Sequence, residues 1–261
     1  MFSRLWPTSS TSSFLSGPMP PLTVTQVQTA LGHFAEALAG RPVRIEATEG
    51  ESWPWHLGLP EPLTVTVPAE APPLGSFEDQ RRLYRAQVIH QIALTEFGTF
   101  GRDPQAPNRC ACIEHHTITS SPFAPVAAGI AVMLEHARVV SAAIRRYPGA
   151  SYDLERAIAL GLQALLVELP PSAGLVAALR LRCLGADRQT LEAACPGAAD
   201  DLEWMNSLIS ELERPDAGLD DSVRVAVELA RRLTGSEPVS YTHLTLPTNT
   251  VTWSDRGGGG G

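Results

Sequence analysis

Lysine is missing from all 261 residues, so each of the 20 basic side chains is arginine, set against 28 acids for a formal net charge of −8. An acidic chain without a basic stripe argues against nucleic acid as a partner, because that binding takes clustered cations that displace phosphate counterions. Cysteine is scarce as well. Four cysteines at irregular spacing in a chain this long make no disulfide framework, so the expectation is a reduced, cytoplasmic protein. No uninterrupted apolar run reaches the ~18–20 residues of a membrane span. The N-terminal MFSRLWPTSSTSSFLSGP lacks the continuous apolar stretch of a signal peptide. Signatures of catalysis are missing too: there is no G-x-x-x-x-G-K-[ST] phosphate loop, no G-x-S-x-G elbow and no H-E-x-x-H zinc pair. Asp220-Asp221-Ser222 reads as a helix cap, not as an Asp-x-Ser-x-Ser metal run.

What is present is apolar material for a real core, 44% of the chain, arranged mostly at helical period. Tyr84 to Phe100, YRAQVIHQIALTEFGTF, is apolar on nearly every side and still carries His90 and Glu96. A helix of that kind is enclosed by other elements, and this one is expected at the centre of a bundle. Gly98 ends it as a left-handed cap. Ser76 starts it, with Asp79 completing part of a capping box.

Around this helix the chain reads as one helical domain, residues 22–236, with a small two-stranded flap. Thr23 to Ala39 forms the first helix, with Thr23 and Gln26 as a capping box and Gly40 as the stop. Residues 43–46 and 63–67 alternate apolar and polar, so they read as two short paired strands. Trp53-Pro54-Trp55 between them reads as a lid-like loop. Later helices run over 124–147, 151–169, 173–184, 187–195, 200–212 and 220–233, each punctuated by Pro or Gly or opened by Asp. The segment 101–122 reads as a polar loop. Residues 1–21, rich in Ser, Thr and Pro, are expected to be disordered. Residues 237–261 are expected to be unstructured and foreign: VSYTHLTLPTN resembles a translated sequencing-adapter read, and five glycines follow. The natural frame is expected to continue past Glu237.

Three constellations hold the candidate chemistry. His90 and Glu96 sit about 120° apart around one helix, too far to share a metal easily. Each is then a buried polar residue tied to another helix, or one ligand of a metal or catalytic site that includes Glu135. Glu135 and Arg138 are neighbours at i,i+3. They form either a surface pair worth about 0–1 kcal/mol or an inter-helix contact in which Arg138 meets Glu96 and fixes helix register. Cys110, Cys112, His115 and His116 place soft and imidazole donors close together, although the spacing matches no common zinc module.

YRAQVIHQIALTEFGTF and LEHARVVSAAIRRYPGASYDLERAIAL, in this order, resemble the helical N-terminal region of the NorD/CbbO family of von Willebrand factor A domain proteins. The likeness rests on His90, Gln91 and Glu96-Phe97-Gly98-Thr99-Phe100, then on Glu135, Arg138, Val139 and Tyr147-Pro148-Gly149. It spans roughly residues 22–236 and departs at Leu94 and Thr95, where members often carry a second histidine. The resemblance implies a non-enzymatic adaptor with no cofactor of its own. Its implied partner is a MoxR-type AAA+ ATPase, and its client a metalloenzyme such as nitric oxide reductase, or a Rubisco-like enzyme. The von Willebrand domain is expected beyond the end of this sequence. The alternative from the residues alone is a metal-binding or metal-dependent hydrolase-like domain using His90, Glu96 and Glu135.

Overall fold

A computed structural model describes residues 20–48, 64–71, 76–100, 111–170 and 173–235. The flanking stretches expected to be disordered or foreign, 1–21 and 237–261, lie outside those residues apart from positions 20 and 21, as does Trp53-Pro54-Trp55. Among the described residues the fold is mainly α, ten helices with one two-stranded sheet near the N-terminus.

The first helix, α1 (Val24–Ala39), starts where sequence says it should. Gln26 reaches back so that its Oε1 accepts the Thr23 N–H at 2.8 Å. Gly40 closes the helix at φ 65°, donating its N–H to Glu36. Strands β1 (Arg44–Thr48) and β2 (Thr64–Pro68) pair in parallel, with Arg44 opposite Thr64 and Thr48 opposite Pro68. A parallel pair of strands needs a crossover rather than a hairpin, and two strands alone are marginal. The sheet is therefore held from outside. Val65 and Val67 are fully buried and share a core with Leu31, Ala35, Tyr84, Val88 and Ile92. The free edge of β2 is satisfied by a side chain: the Gln91 amide accepts the Thr66 N–H at 3.0 Å and donates to the Thr66 carbonyl at 2.6 Å. Gln91 thus does for Thr66 what a third strand would do. Gln91→Met should lower stability by about 1–3 kcal/mol, because it orphans both backbone groups. Urea denaturation monitored by circular dichroism measures this, and an unchanged midpoint would show that water replaces the amide.

The expected central helix is α2 (Phe77–Glu96). Ser76 caps it, its Oγ accepting the Asp79 N–H at 3.0 Å. Every residue from Ala86 to Leu94 is buried, because α1, β2, α5 (Ala124–Arg146) and α6 (Ser151–Glu168) all pack on it. One side of α2 faces the sheet, and the other faces Val139, Ala143 and Leu154. At the α2–α6 contact Arg85 takes Asp153 bidentately, at 2.7 and 2.9 Å.

Helix α5 is the second spine. It meets α2 on one side and, on the other, the largest apolar cluster. That cluster includes residues of α7 (Leu175–Cys183), α8 (Arg188–Ala194), α9 (Ala199–Ser210) and α10 (Leu219–Thr234). By length and composition alone α5 is also long and apolar enough to cross a membrane. Glu135, His136 and Arg138 interrupt its apolar run, and more than half of its most apolar part is buried by protein, as for a core helix. The segment expected to be a polar loop contains two single-turn helices, α3 (Ala111–Glu114) and α4 (His116–Thr119). Four residues are too few to show a period, which is why sequence missed them.

Candidate functional site

The end of α2 and the middle of α5 meet in a buried polar layer. Gly98 adopts φ 77°, where a side chain would be strained. That turn lets Thr99 fold back and donate its N–H to Leu94 O at 3.0 Å, while the Gly98 N–H approaches Thr95 O at 3.4 Å. This is the Schellman pattern. It leaves the Phe97 carbonyl and the Thr99 hydroxyl facing α5. Glu135 and Arg138, 1% and 3% exposed, receive them.

Glu135 accepts four bonds: from Arg138 Nη2 at 2.6 Å, Arg138 Nε at 2.8 Å, Thr99 Oγ1 at 2.7 Å and Ser222 Oγ at 2.8 Å. Arg138 gives two further donors to main chain, reaching Phe97 O at 2.8 Å and Ala217 O at 3.2 Å. One ion pair therefore ties together the α2 terminus, α5 and the start of α10. A planar guanidinium suits this better than an ammonium, since it has five donors in fixed directions. The pair is neither the exposed contact nor the Arg138–Glu96 contact weighed from sequence. Its i,i+3 members hold each other and reach neighbouring segments through Thr99, Ser222 and two carbonyls.

Glu96 corrects the expectation of burial. It is on the exposed side of the last turn of α2, and its carboxylate accepts from the Tyr147 hydroxyl and faces Arg146 Nε at 3.5 Å. The 120° separation from His90 that argued against a shared metal also carries Glu96 out of the core.

His90 is buried as expected, and its partner is a residue sequence did not single out. His136 Nδ1 lies 2.9 Å from His90 Nε2, and the rings stack with centroids 4.9 Å apart. Burial pushes both imidazoles toward the neutral form. The neighbouring His136 adds to this at His90. At His136 the nearby Glu135 works against it, and the value still falls to about 4. His90, Glu96 and Glu135 do not converge on a common point: His90 faces His136, Glu96 faces Tyr147, and Glu135 is filled by Arg138, Thr99 and Ser222.

Nor do the Cys/His candidates form one site. Cys110 lies outside the described residues. Cys112 is fully buried in the large apolar cluster and disulfide-bonded, which corrects the all-thiol expectation. A lone bond of this kind carries no framework spacing to read. Cys183 and Cys195 are free thiols. His115 caps α4, its Nδ1 accepting the Thr117 N–H at 3.2 Å, and its Nε2 meets Asp220 at 3.0 Å. His116 is exposed. Among the described residues no group of three or more His, Cys, Asp or Glu is placed to hold a metal ion.

Sequence reasoning missed Thr99, His136 and Ser222 as members of the layer. Thr99 stood inside the FGTF motif and His136 beside Glu135, so adjacency to named residues was a usable signal. Ser222 looked like a cap, and nothing in its neighbours distinguished it. Compared with known proteins, the chain matches no family model, no curated protein and no solved structure.

Proposed function

We propose that the chain is a non-enzymatic adaptor, the helical region of a NorD/CbbO-like protein, working with a MoxR-type AAA+ ATPase on a client metalloenzyme or Rubisco-like enzyme. The observation that carries this reading is that the two motifs behind the resemblance are partners of each other. Phe97 and Thr99 of the first bond to Arg138 and Glu135 of the second, and Glu96 of the first bonds to Tyr147 of the second. Their polar groups are consumed in fixing the junction of three segments. A rigid junction with its ionisable groups spent internally suits a body that transmits force or position between partners, and it leaves recognition to the surface.

The test is co-purification with a MoxR-type ATPase encoded at the same locus, followed by light scattering and an ATP hydrolysis assay. A stable complex with an altered hydrolysis rate is the expected result. No complex, together with an unaltered rate, would remove the adaptor reading.

A further inference from the structure

The ends of α1, α2 and α5 converge on an open groove of about 440 Å³. Its lining includes the apolar Leu38 and Ile92, the polar Thr95 and Glu96, and the cations Arg41 and Arg146. On a chain with a net charge of −8, two guanidiniums flanking one apolar groove stand out. Arg41 is exposed and has no ion pair among the described residues. Arg146 is 66% exposed at its side chain and meets Glu96 only through Nε, at 3.5 Å, which leaves its terminal nitrogens available. Glu96 is already engaged by the Tyr147 hydroxyl. The Thr95 hydroxyl is buried in the wall and has no partner among the described residues.

We propose that this groove binds an acidic–aliphatic segment of the partner protein, an Asp or Glu side chain gripped by Arg41 and Arg146 and the following aliphatic residue laid on Leu38 and Ile92. This deepens the adaptor reading and rests on it for the partner's being a protein. A carboxylate matches the planar fork of arginine, two parallel N–H donors to two oxygens. Helix ends carry partial negative charge, about half a unit each, and that charge opposes an anion. At the end of α2 two of the last-turn carbonyls are occupied, by Thr99 N–H on Leu94 and Gly98 N–H on Thr95. Both guanidiniums are exposed, and their two full positive charges outnumber the single carboxylate, Glu96, that shares the lining.

The experiment is an NMR titration of the whole chain with acetyl-Asp-Leu-amide, acetyl-Asn-Leu-amide, acetyl-Lys-Leu-amide and sodium acetate. Saturable shifts at Gly40, Arg41, Thr95 and Tyr147 with the Asp probe, and little with the others, are expected. Arg41→Glu combined with Arg146→Glu should weaken the Asp probe roughly tenfold or more, while Arg231→Glu on α10 should not. Thermal melts of both variants show that the fold persists. Equal shifts with the Asn or Lys probe overturn the inference, as do shifts with acetate as large as with the peptide, or none with the Asp probe. The ATPase co-purification separates this from the adaptor reading. If the double variant still co-purifies as wild type does, the groove is not the contact and the adaptor stands. If wild type does not co-purify, the adaptor falls whatever the peptide does.

Discussion

Glu135→Leu on its own should destabilise the chain by about 3–5 kcal/mol, the largest effect expected of any single substitution here. The cost has little to do with the attraction between Glu135 and Arg138. It comes from leaving a guanidinium, 3% exposed, with two main-chain acceptors and no counter-charge. Thr99 and Ser222 lose their acceptor at the same time. Against a typical total of ~5–15 kcal/mol, such a loss leaves a marginal fold. The double variant Glu135→Leu with Arg138→Met removes both charges and should recover most of the loss, since a buried pair exchanged for apolar residues of similar volume is often neutral. Arg138→Lys should fall between, keeping the charge and losing the fork. Urea midpoints of the four proteins decide this. Equal loss in the single and double variants would mean that the layer holds the junction by its hydrogen bonds to Thr99, Ser222 and the carbonyls rather than by charge balance.

The fold was legible in sequence where local chemistry and periodicity agreed. Ser76, Thr23, Gly40 and Gly98 mark helix ends because each fills a backbone need that few residues meet, and the nearly all-round apolar circumference of Ala86–Leu94 announces enclosure. The parallel pairing of β1 and β2 was not legible, since alternation at period two says nothing of direction. The candidate site was half legible. His90, Glu135 and Arg138 could be nominated as polar groups on apolar helices, but periodicity along one helix does not say which residue of another helix faces it. That is why sequence offers Arg138 to Glu96, leaves His136 unremarked and reads Ser222 only as part of a cap. Glu96 failed for a different reason. It lies in the last turn, where a helix leaves its neighbours and the facing argument weakens.

Acid should weaken this fold well before its carboxylates titrate. His90 and His136 are buried and held neutral, His136 with its value lowered to about 4, whereas in the unfolded chain each binds a proton near pH ~6.5. Between those limits the unfolded state takes up more protons than the folded one. Stability is therefore complete above pH ~6.5, falls as the pH drops toward about 4, and levels off for His136 below that. The slope is up to about 1.4 kcal/mol per pH unit for one histidine, so by pH 5 His136 alone removes about 2 kcal/mol, and His90 acts in the same direction. Their contact sharpens the effect. At 2.9 Å, His136 Nδ1 and His90 Nε2 have room for one hydrogen between them. The shared bond survives a first proton placed elsewhere on the pair, but full protonation sets two N–H groups against each other in a buried space of low dielectric. Urea denaturation at a series of pH values from 7 to 5 should show this loss, and His90→Leu with His136→Leu should flatten it even if the variant differs in stability at neutral pH. An unchanged slope in that double variant would assign the acid sensitivity to other groups, and the paired imidazoles would then be protonated without opening the α2–α5 contact.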